Sequence, residues 1–137
     1  MAPYRYVAPV ELRFDPAEIP ALAARFGPSD DAGVEAATRE SLSPAAGERE
    51  RIESLLALRG VGLPTASVLL HFAMPDRYPI LDVRALESLG VTGNPSRTVA
   101  FWLGYVDACR ALAAAHGVSL RTLDKALWQH SKERSGV

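Results

Sequence analysis

The chain has 137 residues, of which 48% are hydrophobic and 23% charged, the size and composition of one globular domain with one core. Its net charge of −1 excludes a protein that coats nucleic acid by bulk charge, and its single cysteine, Cys109, excludes an internal disulfide, a cysteine zinc site and an iron–sulfur cluster. No segment has the apolar length of a signal peptide or a membrane span, so we expect a cytoplasmic protein without membrane contact.

The N-terminal part is expected to hold two helices after an irregular arm over residues 1–14. Asp15 followed by Pro16 is a typical N-cap and first helical residue, and predicts a helix over residues 16–26. Residues 29–41 are polar and acidic and form either a loop or a short solvated helix. The pair Ser43-Pro44 repeats the cap pattern, and Ile52, Leu55 and Leu56 follow at helical spacing, which predicts a helix over residues 44–58.

Four more helices are predicted in the C-terminal part. The first, over residues 64–74, is apolar almost all round, so it should be central and buried. The other three and their flanking signals are residues 83–89 between Asp82 and Gly90, residues 97–116 between Asn94-Pro95-Ser96 and Gly117, and residues 120–132 after the cap Ser119. The sequence therefore predicts an all-α compact bundle of about six helices in one domain over residues 1–137.

Charge is unevenly distributed along the chain. Up to Glu53, ten acidic residues stand against six arginines, whereas the remainder has nine Lys or Arg against six acids. Any nucleic-acid contact is therefore expected in the later part. Arg121, Lys125 and Lys132 can form a basic flank on the last predicted helix, which is either a solvated face or part of a track for backbone phosphates.

Two glycines around a valine, Gly60-Val61-Gly62, separate two of the predicted helices. Glycine takes positive φ without a clash of a Cβ atom, so the turn can be very tight. Because it leads directly into a helix, the amides of Gly62, Leu63 and Thr65 are left without helical partners at the positive end of the helix dipole. Such a site suits a phosphate; the alternative is that the glycines only end one helix and allow a close helix crossing.

The residues around this turn resemble a known family. The family is the helix-hairpin-helix DNA glycosylase superfamily, and in sequence the resemblance is closest to its adenine-glycosylase branch. It is carried by Leu55-Leu-Ala-Leu-Arg-Gly-Val-Gly-Leu-Pro-Thr-Ala-Ser-Val-Leu-Leu70, followed by Tyr78-Pro-Ile-Leu-Asp82 and a predicted helix. The resemblance covers residues 52–90. It implies DNA as the partner, a metal ion held by carbonyls of residues 60–62, and Asp82 as the aspartate that supports base removal. The implied phosphate-binding residues are Arg59, Gly60, Val61, Gly62, Leu63 and Thr65.

The end of the chain carries a second resemblance. Leu123-Asp-Lys-Ala-Leu-Trp-Gln-His-Ser-Lys132 is similar to the ending of a group of uncharacterised bacterial proteins with the same hairpin and the same aspartate before a helix. We expect Lys125 and Lys132, the two lysines of the chain, to contact nucleic acid beside the hairpin.

The chain departs from the glycosylase pattern at points that limit what carries over. Pro64 occupies the place of the lysine with which bifunctional members form a Schiff base, so no lysine-dependent lyase activity is expected. One cysteine cannot form the family's four-cysteine cluster, so we expect no cofactor and no metal held by side chains. The chain is short for the family's two helical lobes, and Val83 follows Asp82 sooner than in the family, so a complete pocket for a flipped base is not implied.

The single residues singled out by the sequence have structural as well as functional interpretations. Asp82 either caps the next helix or is a carboxylate that stabilises a cationic sugar and orients water, and the two roles are compatible. We expect His71 to be a hydrogen-bonded core or rim residue, and Trp102, Tyr105 and Cys109 to pack in the core.

Three hypotheses of function follow. The leading one is a DNA-binding protein related to the helix-hairpin-helix base-excision glycosylases, which contacts a backbone phosphate through Gly60-Val61-Gly62. The alternatives are a monofunctional N-glycosidase that uses Asp82, and a helical module that binds a protein partner or a second copy of the chain.

Overall fold

The protein is described here from a computed structural model, over residues 15–21, 31–91, 93 and 96–135. These residues form helices and connecting turns, with no strand among them. The all-α class and the bundle of about six helices predicted from the sequence are confirmed. Within the described ranges, no helix combines the length and apolar composition that a membrane span needs. The helices are a 3-10 helix Pro16–Glu18, α1 Asp31–Leu42, α2 Glu48–Leu56, α3 Leu63–Ala73, α4 Val83–Ser88, α5 Val99–Ala115 and α6 Leu120–Arg134.

Parts of the sequence prediction lie outside the described residues: the arm over residues 1–14, residues 22–26 of the first predicted helix, and Asn94 and Pro95 of a later cap. The remaining residue of that cap, Ser96, does not begin the helix: Thr98 is the N-cap of α5, and its Oγ1 accepts the N–H of Phe101 at 3.1 Å. The cap at Asp15 is confirmed, since its Oδ1 accepts the N–H of Ala17 at 2.9 Å, and it begins the 3-10 helix. Of the two alternatives for residues 29–41, the helix is the one found, and α1 is mostly exposed.

The core lies between α2, α3, α4, α5, the start of α6 and the segment that joins α3 to α4, and Trp102 of α5 is one of its fully buried residues. The Trp102 ring is fully buried and stacks between Tyr78 and Tyr105, with ring centroids 6.4 and 6.2 Å away. Cys109 and His71 are also buried, so the core roles expected for these side chains are confirmed. The remaining apolar core residues are Ile52, Leu55, Leu63, Ala66, Leu70, Leu81, Ala85, Leu86, Val106, Ala113 and Leu120.

The helix start predicted at Ser43 and Pro44 is wrong. The carbonyl of Ser43 accepts the N–H of Ala46 at 3.1 Å, and Ser43 Oγ accepts that of Ala45 at 3.2 Å, so these residues form a turn. Proline favours the second position of such a turn as well as the first turn of a helix, and the sequence alone did not separate the two. The helix α2 begins only at Glu48.

The turn between α1 and α2 is held by a buried arginine that sequence reasoning missed. Arg51 is 1% exposed, and its guanidinium donates to the carbonyls of Ser41 at 2.7 Å and Ala46 at 3.1 Å. Ser41 Oγ donates in return to the Arg51 carbonyl at 2.8 Å. A buried guanidinium is costly without acceptors; these carbonyls accept from both terminal nitrogens of Arg51, while its Nε has no hydrogen-bond partner among the described residues.

The expectation that the helix over residues 64–74 is buried on all sides is also wrong. The face of α3 that includes Ala66 and Leu70 packs in the core, but Leu69 is 48% exposed and Phe72 71% exposed. Composition alone predicted full burial, whereas α3 lies at the edge of the bundle. Its first residues therefore reach the surface at the hairpin turn, and its buried face supports the segment before α4.

Candidate functional site

The turn between α2 and α3 has the tight geometry that its glycines predict. Gly60 has φ of +75°, the left-handed region that favours glycine, and Gly62 is the N-cap of α3 with φ of −99°. No side chain caps this helix. Gly60, Gly62 and Thr65 are exposed, while the side chain of Leu63 is buried in the core and anchors the turn.

Three backbone amides at this turn have no hydrogen-bond partner in the part of the chain that the structure describes. Among the hydrogen bonds of the described residues, none is donated by the N–H of Gly62, Leu63 or Thr65, and Pro64 has no N–H to donate. The sequence predicted a metal ion held by the carbonyls of residues 60–62. One of these, the carbonyl of Gly62, already accepts the N–H of Ala66 in the first turn of α3, at 2.9 Å. The described part of the chain has no group of three His, Cys, Asp or Glu side chains placed to hold a metal.

Asp82 lies at the N-terminus of α4, as predicted. Its Oδ1 accepts the N–H of Ala85 at 2.7 Å, which confirms the capping role, and the residue is half-buried. Its second carboxylate oxygen is not needed for the cap. Asp82 therefore combines a fixed backbone position with a carboxylate that faces a cleft, and its predicted chemical role stays a prediction.

The segment that leads into Asp82 is fixed by side chains from three helices. His71 Nδ1 lies 2.7 Å from the Tyr78 carbonyl, and because a carbonyl only accepts, Nδ1 is the protonated nitrogen. The N–H and the carbonyl of Ile80 are both bound by side chains, and Leu81 donates its N–H to Ser67 Oγ at 2.9 Å. A chain segment that crosses a core needs such partners for its backbone, so these bonds also have a purely structural purpose.

The two side chains that bind Ile80 are Tyr105 and Asp124. Tyr105 donates its hydroxyl to the Ile80 carbonyl at 2.6 Å, and burial raises the pKa of this hydroxyl, so it remains a donor. Asp124 Oδ2 accepts the Ile80 N–H at 3.0 Å and lies 3.7 Å from His71 Nδ1. The carboxylate of Asp124 thus binds the chain at Ile80, two residues before Asp82.

A cleft of about 540 Å³ opens beside this segment. Asp82 and Asp124 both line it, so two carboxylates share one cavity. Its volume is within the range of about 300–1,000 Å³ usual for small-ligand pockets. The other lining residues are Ile80, Arg121, Lys125, Trp128 and Gln129.

Asp124 is the more unusual of the two carboxylates. It is 8% exposed, and its Oδ1 is buried with no hydrogen-bond partner among the described residues. Burial raises the pKa of Asp124 from 3.8 to about 6; the bond from Ile80 and the nearby His71 oppose this rise, and the charge of Asp82 adds to it. The two carboxylates are therefore electrostatically coupled.

Cations surround the exposed side of the cleft. Arg121 and Lys125 line it from α6, and Trp128 has both the guanidinium of Arg84 and the ammonium of Lys132 at 5.2 Å from its ring centre. Such cation–π contacts hold long side chains in place at a surface. The basic flank expected on the last helix therefore borders the cleft of Asp82.

A second cleft, of about 460 Å³, lies between α4 and α6. It contains none of the residues predicted from the sequence to form a site. Glu87 there accepts a hydrogen bond from Ser131 Oγ, and Ser88 Oγ donates to the Leu127 carbonyl at 2.6 Å. These bonds hold α4 against α6, which gives this cleft a structural explanation.

The structure brings some of the predicted residues together and separates others. Lys125 and Asp82 meet at one cleft, and Lys132 lies beside its Trp128 wall. The hairpin turn is at the other end of α3, and Arg59 is exposed on it. The sequence did not single out Asp124, although one signal was present: it lies four residues after Leu120 and three before Leu127, on the apolar stripe of α6.

Comparison with protein-family models, curated proteins and solved structures finds no match for this chain. The geometry of the turn and of the cleft is therefore the basis for any assignment of function.

Proposed function

We propose that the protein binds DNA through the sugar-phosphate backbone, with the Gly60-Val61-Gly62 turn on a phosphate. The observation that carries this proposal is the group of amides at the start of α3, those of Gly62, Leu63 and Thr65, which have no partner among the described residues. Unpaired amides at the positive end of a helix attract an anion, and a turn without bulky side chains lets a phosphate approach closely. The resemblance to base-excision glycosylases favours DNA as the source of that phosphate, and a role in DNA repair in the cytoplasm.

The basic residues at the cleft supply a second contact for the same strand. Leu63 and His71 are eight residues apart on α3, a distance of about 12 Å at the usual rise of about 1.5 Å per residue. His71 lies 3.7 Å from Asp124, which lines the cleft, so the hairpin and the cleft lie near opposite ends of α3. A strand held at the turn would then pass Lys125 and Arg121.

The salt dependence of binding separates these two contacts. Backbone amides carry no net charge and so displace few of the cations condensed on DNA, and the contribution of the cleft to the slope of log affinity against log salt comes from Arg84, Arg121, Lys125 and Lys132. If each neutralises one phosphate, this contribution is between about −3 and −4. Lys125→Gln should make the slope shallower by about 0.9, whereas a change in the turn should lower affinity without changing the slope.

Gly62→Asp tests the proposal directly. A Cβ atom at Gly62 meets only Pro64 Cδ, at 3.8 Å, and aspartate is a preferred N-cap, so the variant should fold with equal or slightly higher stability. Its carboxylate would occupy the amides and repel a phosphate, so affinity for a fluorescent duplex should fall at least about tenfold. Gly104→Asp is the matched control, because it adds the same charge on α5 where a Cβ meets nothing within 4 Å. Equal affinities of the two variants, or no binding of wild type to intact, nicked or abasic duplexes, would refute the proposal.

A second candidate function is monofunctional N-glycosidase activity at Asp82. The observation that favours it is that Asp82, fixed by its cap, lines a cleft walled by Trp128, where a carboxylate can stabilise a cationic sugar. Asp82→Asn keeps the cap, because asparagine accepts the same N–H, but removes the charge. The variant should bind DNA as wild type does and lose release of free base, measured by chromatography; equal base release by both proteins would contradict this candidate.

A further inference from the structure

The second cleft, of about 460 Å³ between α4 and α6, contains charges that the packing of these two helices does not use. Its volume is within the range of about 300–1,000 Å³ usual for small-ligand pockets. Glu87 of α4 and Arg134 of α6 both line it, yet they form no ion pair with each other among the described residues. A carboxylate and a guanidinium that share a cleft without pairing leave room for a molecule that pairs with both.

The carboxylate of Glu87 is fixed by one of its two oxygens. Ser131 is 4% exposed, and its Oγ donates to Glu87 Oε2. Because Ser131 is buried, this bond holds the position of Glu87 even though Glu87 itself is exposed. The other oxygen, Oε1, has no hydrogen-bond partner in the described part of the chain, so it is left to accept from a ligand.

His130 supplies a second acceptor in the same cleft. Ser88 Oγ gives its hydrogen to the Leu127 carbonyl at 2.6 Å, so towards His130 Nδ1, which is 3.1 Å away, it can only accept. The hydrogen of the imidazole is therefore on Nδ1, and in the neutral ring Nε2 is an acceptor. His130 lines the cleft together with Glu87.

Arg134 supplies the donors. Its guanidinium makes no hydrogen bond or ion pair within the described ranges, and the residue is exposed. Arg134 is four residues after His130 on α6, so the Cβ atoms of the two residues are about 5–6 Å apart. Gly90 also lines the cleft, and a Cβ atom there meets nothing within 4 Å, so the space beside it is open. Acceptors and donors thus stand about one helical turn apart around an open space.

We propose that the second cleft binds a small zwitterion, an α-amino acid, between Glu87 and Arg134. The ammonium group of the ligand donates to Glu87 Oε1 and His130 Nε2. Its carboxylate accepts from the guanidinium of Arg134, whose forked N–H groups suit an anion with two oxygens. This inference goes beyond the proposed binding of DNA and does not rest on it, because neither the hairpin turn nor Asp82 takes part.

The cleft is expected to select its ligand by charge pattern more than by strength. Glu87, His130 and Arg134 are all exposed, so water screens their charges and each contact contributes little. We therefore expect dissociation constants on the order of 1 mM. A ligand with one of its two charges removed leaves the opposite charge of the protein unpaired, and should bind about three- to fivefold more weakly.

The test is an NMR titration of the 15N-labelled protein with L-serine, L-glutamine and L-phenylalanine, each up to about 50 mM. Binding is followed by the amide signals of Gly90, Ser131 and Ser135, which line the cleft. The amino acid that binds best is then compared with its N-acetyl derivative, which lacks the ammonium, and with its carboxamide, which lacks the carboxylate. Wild type should bind each derivative about three- to fivefold more weakly than the amino acid.

Two variants assign the two charges separately. In Glu87→Gln the amide oxygen still accepts from Ser131, so the fold is kept, and the amino acid should lose its advantage over the N-acetyl derivative. In Arg134→Gln it should lose its advantage over the carboxamide instead. The matched controls are Glu50→Gln and Arg97→Gln, at exposed residues that do not line the cleft, and both should keep the two preferences.

Three results would overturn the inference. They are the absence of any change in these amide signals with all three amino acids, equal binding of an amino acid and both derivatives by wild type, and a variant of Glu87 or Arg134 that keeps both preferences. Should a variant fail to fold, the comparison of derivatives on wild type decides. Affinity for DNA is a separate measurement, so the proposed function stands or falls on Gly62→Asp whatever the second cleft binds.

Discussion

Asp124 should make the free energy of unfolding decrease as the pH rises, and Asp124→Asn should remove this decrease. Burial raises the pKa of Asp124 from its ordinary 3.8 to about 6, so the folded protein holds this proton more tightly than the unfolded chain does. The resulting stabilisation is complete below about pH 3.8 and is lost as the pH rises through about 6. Two pKa units at about 1.4 kcal/mol each amount to a change of about 3 kcal/mol.

The assay is urea denaturation followed by tryptophan fluorescence between about pH 4 and about pH 8, with the free energy of unfolding of the variant subtracted from that of wild type. Asparagine can still accept the N–H of Ile80, and its buried NH2 group adds a cost that does not depend on pH. The difference between the proteins should therefore change by about 2 to 2.5 kcal/mol between about pH 4 and about pH 8, in favour of wild type at low pH, because Asp124 of the unfolded chain is already partly ionised at about pH 4. Asp107→Asn, at an exposed position, should give a constant difference. A constant difference for Asp124→Asn as well would refute a buried, perturbed carboxylate.

Three further predictions concern the turn, α3 and the thiol. Gly60→Ser should lower the free energy of unfolding, measured with denaturant, by about 1–2 kcal/mol, because Gly60 has φ of +75°. The same change at Gly62, an N-cap with φ of −99°, should not lower it. Equal losses for the two variants would contradict the turn geometry. Leu70→Ala should lower the free energy of unfolding by about 2–5 kcal/mol, because Leu70 is fully buried. Leu69→Ala, at a residue 48% exposed, should lower it by less than about 0.5 kcal/mol. The reverse order of these two losses would show that the assignment of the exposed face of α3 is wrong. Cys109 is fully buried, and burial raises the pKa of its thiol to about 11. Iodoacetamide should therefore react with it about a hundredfold more slowly in the native protein than in urea, as measured by mass spectrometry. Rapid labelling of the native protein would disprove this prediction.

The features that sequence predicted well are those decided by neighbouring residues. Asp82 and Ser119 cap helices because aspartate and serine accept an N–H two or three residues ahead, whatever the rest of the fold does. Gly60 takes a positive φ for an equally local reason. The turn at Ser43 and Pro44 was mistaken for a cap because the same pair suits both, and the choice depends on Arg51, which binds the turn from the following helix.

The features that sequence did not predict depend on contacts between distant residues. The pKa of Asp124 is raised because α6 packs against Ile80 and buries the carboxylate, and Ile80 is 44 residues away in the chain. A charged residue on an apolar helical stripe could have signalled this burial, but not its partner. The exposure of Phe72 has the same origin, since the number of sides on which α3 is covered depends on how the other helices pack.

The helix α3 connects the two parts of the candidate site. Gly62 begins it at the hairpin turn, while its buried face carries Ser67 and His71, which bind the backbone of Leu81 and Tyr78. One helix thus presents free amides at its exposed end and fixes the segment before Asp82 with its core face. Because α-helices resist bending over so short a length, a phosphate at the turn and a ligand in the cleft would be held at a fixed separation. The bonds that satisfy a buried chain segment therefore also set the geometry between the proposed anchor and the carboxylates.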